Sequence, residues 1–151
     1  MTADDSAAAE TRRLIRTARR AVLATTREGW PYASLVLPAS DAEGHPLLLL
    51  SDLAEHAKNL KADPRCSLLY DATEGLEDPL TGFRATVMGE ARGTEDTALL
   101  ERYIARQPAA AQYAGFGDFR LYRLTIARAH VVAGFGRIRW VQASDLVSAR
   151  A

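Results

Sequence analysis

The chain has 151 residues, 48% hydrophobic and 25% charged, enough for one globular domain with a proper core and too few for two comfortable ones. Nineteen basic and nineteen acidic side chains cancel, so no overall field draws the protein to nucleic acid or an anionic membrane. Apolar runs are too short to span a bilayer, the N-terminus lacks a signal-peptide pattern, and the single Cys66 excludes an internal disulfide. A cytoplasmic protein is expected.

In chain order, Asp4-Asp5-Ser6 reads as a helix start with acids at its positive end. Leu14, Ile15 and Ala18 give that helix a narrow apolar edge, and Arg12, Arg13, Arg16, Arg19 and Arg20 crowd its second half. Ala21 to Thr26 is a small-residue strand turned by Arg27-Glu28-Gly29. Trp30 to Ala39 is a longer strand, broken only by Pro38. Tyr32, Ser34 and Val36 face one way along it, and Ala33, Leu35 and Leu37 the other.

The stretch from Gly44 to Tyr70 organises the rest. Leu47 to Leu50 is a buried strand, and Ser51 or Asp52 is expected to cap the helix that follows. Leu53, Ala57 and Leu60 form its buried face, while Glu55, His56, Lys58, Asn59 and Lys61 are exposed. Asp63-Pro64 ends it. A strand feeding a helix N-terminus beside polar side chains suits either a phosphate cradle or a plain solvated helix face. Cys66 sits in the following strand, Arg65 to Tyr70, as a small hydrophobe.

Asp71 to Gly82 is an acidic connection of the length that functional loops have. Phe83 to Arg92 alternates as a strand. Thr94 is expected to cap the next helix, whose buried face carries Leu99, Leu100, Tyr103 and Ile104 and which Pro108 interrupts. Phe119 to Ile126 and His130 to Gly134 read as two strands, followed by Arg137 to Val141 and a short helix from Ser144. Short strands joined by Gly/Asp turns point to an antiparallel barrel or meander.

The three histidines lack metal-ligand spacing, no nucleophile elbow is present, and Gly134-Phe135-Gly136 lacks the third glycine of a dinucleotide fingerprint. The residues alone reach a small antiparallel β domain with a possible anion site.

Five runs of residues carry a resemblance. The run Ala21-Val-Leu-Ala-Thr-Thr-x-x-Gly-Trp-Pro-Tyr-Ala-Ser34, and Leu50-Ser-x-Leu-Ala-x-His-Ala-x-Asn-Leu60 with Asp63-Pro64-Arg65, resemble the FMN-binding split-barrel (pyridoxamine 5′-phosphate oxidase-like) superfamily. Asp78-Pro-Leu-Thr-Gly-Phe-Arg84, Phe116-x-Asp-Phe-x-x-Tyr-Arg123 and Gly134-Phe-Gly-Arg-Ile-x-Trp140 resemble its HugZ-type haem-utilisation subgroup. The similarity runs over about residues 10–145 of a single domain, 1–151.

The resemblance implies a mainly β (α+β) fold, an antiparallel split β-barrel of six to seven strands with a few flanking helices. It also implies a homodimer with FMN in clefts at the subunit interface and a flavin-dependent redox reaction on a small-molecule substrate. By position, Ser34 matches a side chain that reaches the FMN phosphate, and Leu35, Val36 and Leu37 run along the isoalloxazine. Leu50 and Ser51 end the strand lining the flavin. Glu55 and His56 match the basic phosphate pair, with Asn59 one turn on. Arg84 matches a polar cofactor contact, and Arg139 and Trp140 a C-terminal aromatic/basic pair.

The vitamin B6 oxidases, however, carry arginine and lysine where this chain has Glu55 and His56, and arginine where it has Ser34. Each charged hydrogen bond lost from the phosphate costs roughly 1–3 kcal/mol. HugZ-type proteins carry histidine at this phosphate position, and some bind haem through an additional C-terminal segment not expected here. Haem is therefore the alternative cofactor, with His56, His130 and the arginines from Arg12 to Arg20 as contacts. A dimeric barrel without cofactor is the third possibility.

Overall fold

A computed structural model describes residues 3–134 and 136–148. Helix α1 (Ala3–Thr17) leads into strands β1 (Ala21–Arg27), β2 (Trp30–Val36), β3 (Ala39–Ser40) and β4 (Pro46–Ser51). Helix α2 (Glu55–Ala62) and strands β5 (Arg65–Asp71) and β6 (Phe83–Thr94) follow. Helix α3 (Thr97–Arg106), β7 (Phe119–Ala133) and β8 (Ile138–Gln142) complete the order, with short 3₁₀ turns at Pro79–Thr81, Pro108–Gln112 and Ala143–Asp145.

The eight strands are all antiparallel to their neighbours, in the order β2-β1-β5-β6-β7-β4-β3, with β8 also on β7. The run from Trp30 to Ser40 pairs with β1 through β2 and, past Pro38, with β4 through β3. One extended segment thus joins the two ends of the sheet and closes it into a split barrel. The expected long strand is therefore interrupted rather than continuous, because proline donates nothing to a ladder. The two-residue β3 brings the count to eight, one above the expected six to seven.

Leu23, Leu48, Leu68, Val87 and Leu124 fill the barrel, each essentially inaccessible. Such burial stabilises by about 1.5–3 kcal/mol per side chain. Leu47 and Leu49 point the other way, under Tyr103 and Ala110. Strand β4 is buried on both faces, which is why Leu47 to Leu50 is a run and not an alternation.

Several local expectations are corrected. Phe119–Ala133 is one strand: its first half pairs with β4, its second with β8, and β6 covers both. A bulge allows this, since the β6–β7 register shifts between Met88 and Gly89 and leaves Ala127 unpaired. Helix α2 starts after Ala54 with no side-chain cap, because Ser51 and Asp52 lie in the turn before it. Leu53 is exposed and Asn59 is buried, donating from Nδ2 to Thr25 Oγ1 at 3.0 Å. Asp96, not Thr94, caps α3, accepting from the N–H groups of Ala98 and Leu99. Phe135 of the Gly-x-Gly motif lies outside the described residues.

Candidate functional site

A groove of about 290 Å³ opens where β4 gives way to α2. Leu35, Val36 and Leu37 form one side, and Leu49, Leu50 and Ser51 the floor. Ala54 and His56 form the α2 side, and Tyr103, Tyr113 and Phe119 an aromatic wall.

Hydrogen bonds fix this geometry. Ser51 Oγ donates to Asp118 Oδ2 at 2.7 Å and accepts from the Leu53 N–H, so the β4–α2 turn is tied to the loop before β7. The Asp52 N–H donates to the Asp118 carbonyl at 2.7 Å beside it. Tyr103 Oη donates to the Leu37 carbonyl at 2.6 Å, holding α3 over the Pro38 break. The Tyr113 and Phe119 rings lie 4.7 Å apart, with Phe116 edge-on to Phe119 at 6.3 Å.

His56 supplies the groove's imidazole. Its Nδ1 lies 3.1 Å from Ser34 Oγ, across from β2 to α2. Burial lowers its pKa from the usual histidine value, so the ring is neutral at pH 7. With the proton on Nδ1 the ring donates to Ser34, and Nε2, which has no hydrogen-bond partner among the described residues, is left as an electron-pair donor. Glu55 turns away: its Oε2 accepts from Arg27 Nη1 at 2.6 Å, and its Oε1 lies 3.9 Å from Lys58 Nζ.

Seven of the twelve positions that the resemblance points to therefore meet at one place, six lining the groove and Ser34 bonded to His56. The rest do not. Glu55 is engaged by Arg27, and Asn59 is inside the core. Arg84 Nη1 donates to the carbonyls of Leu80 and Gly82, at 3.0 and 3.4 Å, and so braces the loop before β6. Arg139 lines a different pocket beneath α1. Trp140 lies on the outer sheet face, 4.7 Å from the His130 ring, with Arg128 Cζ 5.4 Å above it. The aromatic wall was not foreseen as site. Tyr113 and Phe119 flank the glycines at 115 and 117, a visible signal, whereas nothing local puts Tyr103 of a distant helix over β4.

Residues 7–133 match the family model described as pyridoxamine 5′-phosphate oxidase. The chain belongs to that family. Among its relatives, the protein named non-canonical heme oxygenase HOZ, chloroplastic, from Arabidopsis thaliana is 38% identical over 112 residues, 71% of this chain and 33% of that one. The heme-binding protein from Mycobacterium smegmatis is 34% identical with a TM-score of 0.86, over 93% of this chain and 59% of that one. HutZ, the heme storage protein from Vibrio cholerae, is 27% identical with a TM-score of 0.59, over 77% and 87%. The chain thus spans about a third of the Arabidopsis family member and about three fifths of the mycobacterial one. Among the described residues, no helix of this family member is long and apolar enough to cross a membrane.

Proposed function

We propose that this protein binds haem in the β2–β4–α2 groove, with His56 Nε2 as the iron ligand. The observation that carries the reading is the groove's chemistry: apolar and aromatic walls around one neutral imidazole whose Nδ1 is already engaged by Ser34. A hydroxyl or carboxylate on the second ring nitrogen orients a metal-binding histidine in this way. Iron would supply the redox or gas-binding chemistry when bound. The protein's own part is to orient His56, exclude water with Tyr103, Tyr113 and Phe119, and hold the macrocycle on Leu35, Leu37 and Leu50. Three relatives of the family carry haem in their names, at 38%, 34% and 27% identity.

At about 290 Å³ the groove sits at the bottom of the ~300–1,000 Å³ range of small-molecule sites, and a macrocycle in it would reach beyond its walls to a second surface. A second copy of the chain suits that role. The outer face of the sheet carries a row of cross-strand partners, Leu35–Val22–Leu69–Thr86–His130–Trp140, running over six strands. Leu35 and Trp140 are more than half exposed at the two ends of the row, and Ile138, two residues from Trp140 on β8, is also exposed. Patches of this kind mark association surfaces. We infer a homodimer through this face, one domain per chain, in a reducing cytoplasmic setting that suits the lone Cys66.

FMN is the second reading, favoured by the family itself and by the convergence of Leu35–Leu37, Leu50 and Ser51. It ranks lower because Arg27 and Lys58, the cations beside Glu55 at the phosphate position, already face its carboxylate. A doubly charged phosphate would lack charge-assisted contacts there. Titration of the purified protein with haemin and, separately, with FMN decides. A saturating Soret shift with no flavin uptake supports haem. A co-eluting two-band flavin spectrum with no Soret shift overturns it.

A further inference from the structure

A second pocket, of about 550 Å³, lies between α1 and the β7–β8 hairpin and shares no lining residue with the groove. Its floor is apolar: Phe83, Val131 and Ala133 from the sheet. Its rim is cationic, with Arg13 and Arg16 one turn apart on α1 and Arg137 and Arg139 two apart along the chain. The one acid lining it, Glu10, is held by Arg13 through both carboxylate oxygens. Among the described residues no carboxylate pairs with Arg16 or Arg137.

In a chain with no net charge, the described lining gathers Arg16 and Arg137, which no described carboxylate pairs, beside the Arg13–Glu10 pair. Apolar walls reduce the screening between like charges, so the arrangement is favourable when an anion enters. The planar fork of arginine matches the oxygens of a carboxylate or phosphate group. The volume falls within the range of small-molecule sites.

We propose that this pocket binds a small organic dianion, with its carboxylate or phosphate oxygens on Arg16 and Arg137 and its apolar body on Phe83 and Val131. The site is independent of haem in the groove.

The test is thermal denaturation of the full chain at constant ionic strength with phenyl phosphate, phthalate or inorganic phosphate as probe. A saturable rise in Tm with phenyl phosphate or phthalate, stronger than with inorganic phosphate, is expected, and whichever of the two acts more strongly identifies phosphate or carboxylate as the preferred group. The Arg16→Gln/Arg137→Gln variant should weaken the probe by about tenfold or more per guanidinium removed, and Arg137→Gln alone should leave haemin uptake unchanged. Arg137→Gln alone, outside regular strand, serves if the double variant does not fold. No saturable shift with any probe overturns the proposal. So does a shift that inorganic phosphate matches, or one that the arginine variants leave intact.

Discussion

At the scale of single residues, the buried polar groups define what the protein tolerates. His45 Nδ1 accepts the Ile126 N–H at 3.1 Å, which requires that nitrogen to be unprotonated. Burial, followed by the charge of Arg123, lowers its pKa below the ordinary value of about 6.5. Such a group contributes stability above its unfolded pKa, and that contribution is lost as pH falls through the folded value. The urea midpoint should therefore drop as pH is lowered below about 6.5, and His45→Gln should flatten the drop. His56, also lowered by burial, leaves a shallower slope of the same sign. Asp41 beside His45 is pushed up by burial but pulled below its usual value overall by Arg123 and the His45 N–H. Asp41→Ala leaves the N–H groups of Glu43, Gly44 and His45 without their acceptor while Arg123, a third exposed, keeps Glu43, so a loss of about 1–3 kcal/mol is expected in the same urea experiment. Cys66, its thiol pushed up to about 12 by burial, should resist alkylation at neutral pH.

At the scale of elements, the bulge opposite Gly89 decides whether β7 can serve both halves of the barrel. A Cβ on Gly89 would lie 2.1 Å from the Thr125 carbonyl oxygen and 2.7 Å from Leu124 Cδ2. Gly89→Ala should destabilise by about 1–3 kcal/mol or more in a urea midpoint, an overpacking cost with backbone as the obstacle. Asp96→Ala should cost about 1 kcal/mol through the α3 cap. Elements that depend on their own residues were legible in sequence: the apolar run of β4, the alternation of β2 and β6, the Asp63-Pro64 stop. Those that depend on a distant partner were not. Nothing near Ala127 announces that two short strands are one, because the bulge is set by Gly89 on another strand. The burial of Asn59 was equally hidden, since its bond is to Thr25 across the barrel end. Of the positions implied by the resemblance, Ser34 and His56 come into contact, whereas Arg139 and Trp140 alternate along β8 and so fall on opposite sides of the sheet.

At the scale of the whole molecule, α2 and the loop before β7 enclose one groove, α3 covers the β4 side, and the β2-to-β8 outer face stays open. If that face joins two copies, Val22→Lys with Leu69→Asp should give a folded monomer in equilibrium sedimentation, because both side chains lie in its apolar row and are exposed in the single chain. Haem affinity should fall in the same variant, since one groove alone is too small to enclose a macrocycle. The most direct measurement is the absorption spectrum of the protein with one equivalent of haemin, taken for the unaltered chain, His56→Ala and His130→Ala. The expected result is a saturating Soret shift that His130→Ala retains and His56→Ala loses. A shift that survives His56→Ala unchanged would contradict the assignment of the groove as the haem site.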